Sequence, residues 1–197
     1  MKSRFAVAAC VLLLLLPMSL VAQDVWKDSS GKEITGFRAI LMNHYNDSRK
    51  KVIDLATAMP EDKYTWRPME GVRSVSEVYM HIAGSNYLLP SFIGHKPPED
   101  IKRADEKNIT EKAKVLEYVK KSFDYVKDVL LKVPESDFDK PADFFGSKTT
   151  YRGIMFNAVA HWHEHLGQSI AYARSNKVVP PWTAAEQAQE QKSDSKK

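Results

Sequence analysis

The sequence predicts an all-α fold, a bundle of four helices, and three observations carry that prediction. Four segments repeat apolar residues at three-and-four spacing, Pro- and Gly-bearing connections separate them, and no Asn-Gly or Asp-Gly turn joins two alternating runs. Helices with one apolar stripe each bury those stripes against one another, which is the bundle solution.

The first helix is predicted over residues 34–58, where Ile34, Phe37, Ile40, Leu41, Tyr45, Val52 and Leu55 recur near helical spacing and Pro60 ends the run. The second opens at Ser74. Glu77 stands three residues on, so a hydroxyl and a carboxylate can each satisfy an amide that the helix start leaves open. It extends to about Ile93, with Pro90 as a kink or stop. Thr110 is the expected N-cap of the third helix, whose Val115, Val119, Val126, Val129, Leu130 and Val133 share one side while Lys and Glu fill the other. The fourth runs from about Thr150 to Ser175, and Pro180-Pro181 forbids its continuation. Residues 34–182 therefore make up the folded domain.

What flanks that domain reads differently. Lys2 and Arg4 precede an apolar run from Phe5 to Leu16, and small residues follow Pro17 as far as Ala22, the pattern of a secretory signal peptide over residues 1–22. A membrane span needs about 20 apolar residues, and Pro17 and Ser19 interrupt this run early. The expected location is secreted or periplasmic, with membrane contact only during export. Cys10, the one cysteine, falls inside the leader, so the exported chain would hold no thiol and no disulfide. Residues 23–33 are polar and are expected to be a flexible segment, and residues 183–197 a mobile polar tail.

The formal charge of +4 comes from interspersed Lys, Arg, Asp and Glu rather than from a basic block, which argues against nucleic acid as a partner. A phosphate-binding Gly loop and a dinucleotide fingerprint are both missing from the sequence.

The histidines carry the chemistry. His161, His163 and His165 lie within five residues, but on a helix only His161 and His165 share a face, one turn apart with Cβ atoms about 5–6 Å from each other. His81 sits mid-helix among Val78, Tyr79, Ile82 and Leu88, so its imidazole faces the interior and needs a partner there. Three imidazoles from two helices can grip one divalent ion and leave positions open for water or substrate. The ordinary alternative is a packed core histidine with one hydrogen bond and a coincidental i,i+4 pair. His44 can line a pocket from the first helix, whereas His95 reads as loop.

Three fragments occur in a fixed order: Trp66-Arg67-Pro68, then Gly71-Val72-Arg73-Ser74 leading to Met80-His81-Ile82-Ala83, then His161-Trp162-His163-Glu164-His165-Leu166-Gly167-Gln168. Together they resemble the DinB/YfiT-like superfamily over roughly residues 35–182. The resemblance implies a bundle of up-down-down-up type and a divalent metal, zinc or nickel, held by His81, His161 and His165. It also implies a homodimer, a packing role for Gly167, and packing or support of a ligand by Gln168. The superfamily includes cytoplasmic thiol S-transferases and mycothiol-dependent isomerases. His161-x-x-Glu164-His165 fits the inverted zinc-protease motif as well, but that motif needs a further acidic ligand far downstream, where only a short polar stretch remains.

The expected function is a metal-dependent hydrolase that attacks a small-molecule substrate through metal-bound water, with Glu164 or His44 as catalytic assistant. A thiol S-transferase-like enzyme and a non-catalytic, metal-stabilised stress or interaction protein are the alternatives. A metal-free bundle whose Tyr79, Tyr87 and Trp162 line an apolar groove is a third class.

Overall fold

The computed structural model describes residues 24–98 and 107–195. The signal peptide and Cys10 lie outside the described residues. In chain order the elements are strand β1 (Val25–Lys27), strand β2 (Glu33–Thr35), helix α1 (Gly36–Ala58), helix α2 (Val75–Leu88), helix α3 (Lys112–Lys132), strand β3 (Pro141–Phe144), strand β4 (Ser147–Thr150), helix α4 (Tyr151–Ser175) and helix α5 (Pro181–Asp194). Helices α1 to α4 form the bundle, with α1 and α2 each packed against both α3 and α4.

Local chemistry fixes where the helices begin. At α2 the Ser74 hydroxyl accepts from the Glu77 amide at 3.3 Å while the Glu77 carboxylate accepts from the Ser74 amide at 2.9 Å, so the predicted capping box is present. Pro90 falls in a single 3-10 turn, Leu89–Ile93, that ends α2 and closes on Gly94 at φ +87°. At α4 the Thr150 hydroxyl accepts from the Gly153 amide at 3.2 Å, and a Cβ at Gly153 would lie 2.1 Å from the Thr149 hydroxyl. A larger residue there would require the Thr149 hydroxyl to rotate away. The start of α3 departs from expectation: Thr110 precedes Glu111, which holds the cap position without a side-chain bond. Lys112 is committed elsewhere, donating to the Thr57 and Met59 carbonyls at the open end of α1. Arg38 does the same for α3. It is buried, donates to the carbonyls of Leu130 and Val133, and lies 5.0 Å from the Phe138 ring centroid.

The core is centred on Trp162 of α4, which is fully buried. Its ring meets Tyr45 of α1 at 6.0 Å and Phe123 of α3 at 5.6 Å between centroids. Its indole N–H donates to Asn86 Oδ1 of α2 at 2.6 Å, Asn86 Nδ2 donates to Ser122 Oγ of α3 at 3.0 Å, and Ser122 donates to the Val119 carbonyl at 2.8 Å. One residue thus touches all three other helices, and every polar atom in that chain has a partner. Tyr79 and Tyr87 are buried as well, so the aromatic residues fill the core and do not line a groove.

Two hairpins and a fifth helix were not expected. Residues 23–33 do not form a loose segment as a whole. Val25↔Thr35 through Lys27↔Glu33 pair antiparallel, Trp26 is buried against the bundle, and Asp28 Oδ1 accepts from the Ser30 and Lys32 amides to close the turn. The second hairpin joins Pro141↔Thr150 through Phe144↔Ser147, turning at Phe145 (φ +52°) and Gly146 (φ +86°). The exposed Phe145 ring stacks on Phe92 and Phe144, each at 4.8 Å, which holds a bulky residue in a left-handed conformation it rarely adopts. The polar tail continues as α5 through Asp194: its first turn packs on the core through Trp182, and the exposed Ala, Glu, Gln and Lys that follow are strong helix formers.

Asn86→Ala should leave the Trp162 indole N–H buried without an acceptor. The expected loss is about 1–3 kcal/mol, read as a lower urea midpoint at unchanged slope; an unchanged midpoint would show that the buried chain does not hold the helices in place.

Candidate metal centre

The register that Trp162 imposes decides what its neighbours face. With residue 162 in the core, His161 and His165 turn toward α2, one turn apart, and the capped start of α2 places His81 opposite them. His165 is buried, and His81 and His161 are half-buried. One nitrogen from each lies within 4.8 Å of the other two. His81 Nε2 and His161 Nε2 are 3.1 Å apart with ring centroids at 4.9 Å.

Those two distances together indicate how the rings are aimed. Two imidazoles bound to one ion at about 2.0–2.1 Å and the tetrahedral angle have nitrogens about 3.3 Å and centroids about 5.2 Å apart. A collinear N–H···N hydrogen bond of about 3.1 Å keeps the centroids about 5.4 Å apart. The His81–His161 pair has the shorter centroid separation, so its rings are not aimed along the line between the nitrogens. His44 and His163 contrast with it: their nitrogens are also 3.1 Å apart, but the centroids stand at 5.3 Å with the rings perpendicular. That pair has the geometry of a hydrogen bond. The residues therefore fit a divalent ion at the first cluster, where the 4.8 Å limit leaves the widest edge about 1.5 Å of closure by side-chain rotation.

Neighbouring groups settle the ring states. Burial, reinforced by the adjacent His165 and His81 and by the charge of Arg73, pushes the His161 imidazole down to about 3, so it stays neutral with its lone pair available. His165 Nδ1 lies 2.8 Å from Gln168 Oε1, Gln168 Nε2 donates to the Tyr172 hydroxyl at 3.1 Å, and that hydroxyl donates to the Arg73 carbonyl at 3.1 Å. This chain keeps the His165 proton on Nδ1 and turns Nε2 toward the cluster.

Of the other residues singled out in the sequence, none joins the three imidazoles. His44 faces His163 on the opposite side of α4, where burial and His44 hold the His163 ring below its ordinary value while Asp47 opposes them. Glu164 is exposed, and among the described residues the cluster contains imidazoles and no carboxylate. Gly167 is exposed too, with open space where a Cβ would project, so it makes no close helix contact. Gln168 supports a ligand. Sequence reading missed Ser85, whose hydroxyl lies 3.2 Å from His161 Nε2. The signal was there, because Ser85 follows His81 by one helical turn.

Comparison with known proteins bears on the family and the fold. Residues 44–169 match the DinB superfamily. YjoA of Bacillus subtilis strain 168, described as uncharacterized, is 27% identical over 140 residues, covering 68% of this chain and 87% of that protein. The crystal structure of YjoA, a DinB-like protein, superposes with a TM-score of 0.57 at 25% identity, covering 71% of this chain and 93% of that one. A DinB-like protein from Bacillus cereus ATCC 10987 gives a TM-score of 0.64 at 15% identity, covering 72% and 93% respectively, which speaks to the fold.

The depressed His161 value has a consequence for the metal-free protein. Between about pH 6.5, where the unfolded chain takes up the proton, and about pH 3, where the folded chain does, unfolding is favoured increasingly as pH falls. Chemical denaturation across that window should show stability declining toward acid, and His161→Gln should flatten the decline; equal slopes for both proteins would contradict the assignment.

Proposed function

The chain belongs to the DinB superfamily, and from that premise we propose that it is an exported divalent-metal-dependent enzyme, with zinc or nickel held by His81, His161 and His165. The single observation that carries the proposal is the grouping of three imidazoles from two helices, one nitrogen of each within 4.8 Å of the other two, with no carboxylate in the cluster among the described residues. The ion would supply Lewis acidity and make a coordinated oxygen or sulfur donor a better nucleophile near neutral pH.

The chain's own residues divide the remaining work. Gln168 and Tyr172 orient His165. The Ser85 hydroxyl lies 3.2 Å from His161 Nε2, so beside an ion held by that nitrogen it would be within reach to donate or accept a hydrogen bond. With Glu164 exposed and His44 engaged by His163, Ser85 is the polar side chain best placed to orient a reacting group. Hydrolysis of a small molecule is the reaction we assign. Thiol transfer is the second reading, favoured by the lack of a carboxylate base in the cluster, since a thiol that binds an ion loses its proton without one.

Export rests on the leader-like residues 1–22. Among the described residues no helix is long and apolar enough to cross a membrane.

Purified protein should carry about one zinc or nickel per chain, and His81→Ala should lose both the metal and any turnover on a panel of ester, amide and thiol-transfer substrates. Ser85→Ala should keep the metal and lower turnover by about tenfold or more. Equal turnover by His81→Ala would remove the enzymatic proposal, and a chelator that lowers the melting temperature while no substrate reacts would favour a structural ion.

A further inference from the structure

Beside the histidine cluster lies a cavity of about 990 Å³, lined by Arg67, Gly71, Val72, Arg73, Glu77, Lys107, Asn108 and Gln168. Its size is at the upper end of small-molecule sites. Its lining is unlike theirs: among the described residues three cations and two carboxamides line it, and Val72 is the only aliphatic side chain.

The one lining carboxylate among the described residues, that of Glu77, is already occupied. Glu77 accepts from Arg67 at 3.0 Å and from the Ser74 amide at 2.9 Å, and Arg67 also donates to the Val72 carbonyl at 2.9 Å, so the Arg67 fork is fixed in place before any ligand arrives. Gln168 joins the cavity to the cluster: it forms part of the wall and bonds His165 with its amide oxygen. The Arg73 carbonyl anchors the same chain through Tyr172.

Resting on the metal-centre reading above, we infer that this cavity is the substrate subsite, and that the substrate is a small molecule carrying a carboxylate or phosphate group on the side away from the reacting bond. Guanidinium groups and a lysine recognise such oxyanions by charge-assisted hydrogen bonds, and here Arg67, Arg73 and Lys107 line one cavity with the Arg67 fork held in place by Glu77 and the Val72 carbonyl. The metal-facing group and the anionic group then sit at two ends of one ligand, with Gln168 at the junction.

The test uses one metal-binding head with three tails. Cobalt(II) placed in the three-histidine site reports head binding through its visible spectrum, and titrations compare acetohydroxamate, succinic monohydroxamate and phosphonoacetohydroxamate. The charged tails should tighten binding by about tenfold or more over acetohydroxamate. Arg73→Gln and Lys107→Gln, made separately, should each shrink that margin while leaving acetohydroxamate affinity unchanged. The tighter of the two charged tails distinguishes a carboxylate from a phosphate substrate. If all three probes shift the cobalt spectrum at equal concentrations in wild type and both variants, the subsite is overturned and the metal centre stands. If no probe shifts the spectrum, the open metal centre fails and the subsite falls with it.

Discussion

The placement of Trp162 is the constraint on which the rest of this molecule depends. A fully buried indole that contacts an aromatic residue on α1, another on α3 and an amide on α2 permits one rotation of α4 about its axis. A rotation by one residue would expose the ring and leave Asn86 and the indole N–H unpaired in the core. Once that rotation is set, helical geometry assigns the neighbours without further choice. His161 and His165 face α2, and His163 faces α1. The histidine cluster is thus a consequence of core packing more than of any interaction among the histidines themselves, which repel one another when protonated.

Placing three bases together has an energetic cost that the surroundings offset. Burial keeps His161 neutral, and the Gln168–Tyr172 chain fixes the tautomer of His165. What results is a cluster of three imidazole nitrogens, each within 4.8 Å of the others, beside a cationic cavity. The two histidine pairs on α4 show how little separates a ligand set from a hydrogen bond: the nitrogen separations are the same, and only the aim of the rings differs.

Much of this was legible in the sequence because it is local. The Ser74–Glu77 spacing predicted a capping box, the apolar spacing predicted the four long helices, and the i,i+4 relation of His161 and His165 separated them from His163. The features that escaped are those decided by tertiary contact or by less common turns. The β1–β2 hairpin turns through Asp28-Ser29-Ser30-Gly31, in which a carboxylate replaces backbone acceptors, so a search for two-residue turns passes over it. The β3–β4 turn puts Phe145 where glycine or asparagine is usual, and only its contacts with Phe92 and Phe144 explain it. Thr110 had the chemistry of a cap, yet Lys112 is bound to the end of α1 and the helix begins after Glu111. The engagement of His44 by His163 requires knowing that α1 lies against α4.

The most direct test of the account is X-ray absorption spectroscopy of the zinc-loaded protein, because it counts the imidazoles and measures their distance in one experiment. Three imidazole nitrogens at about 2.0–2.1 Å and a single exchangeable lighter donor are expected, with one imidazole lost in His81→Ala. A spectrum with two or fewer imidazoles, or one that His81→Ala leaves unchanged, would contradict a centre shared between α2 and α4.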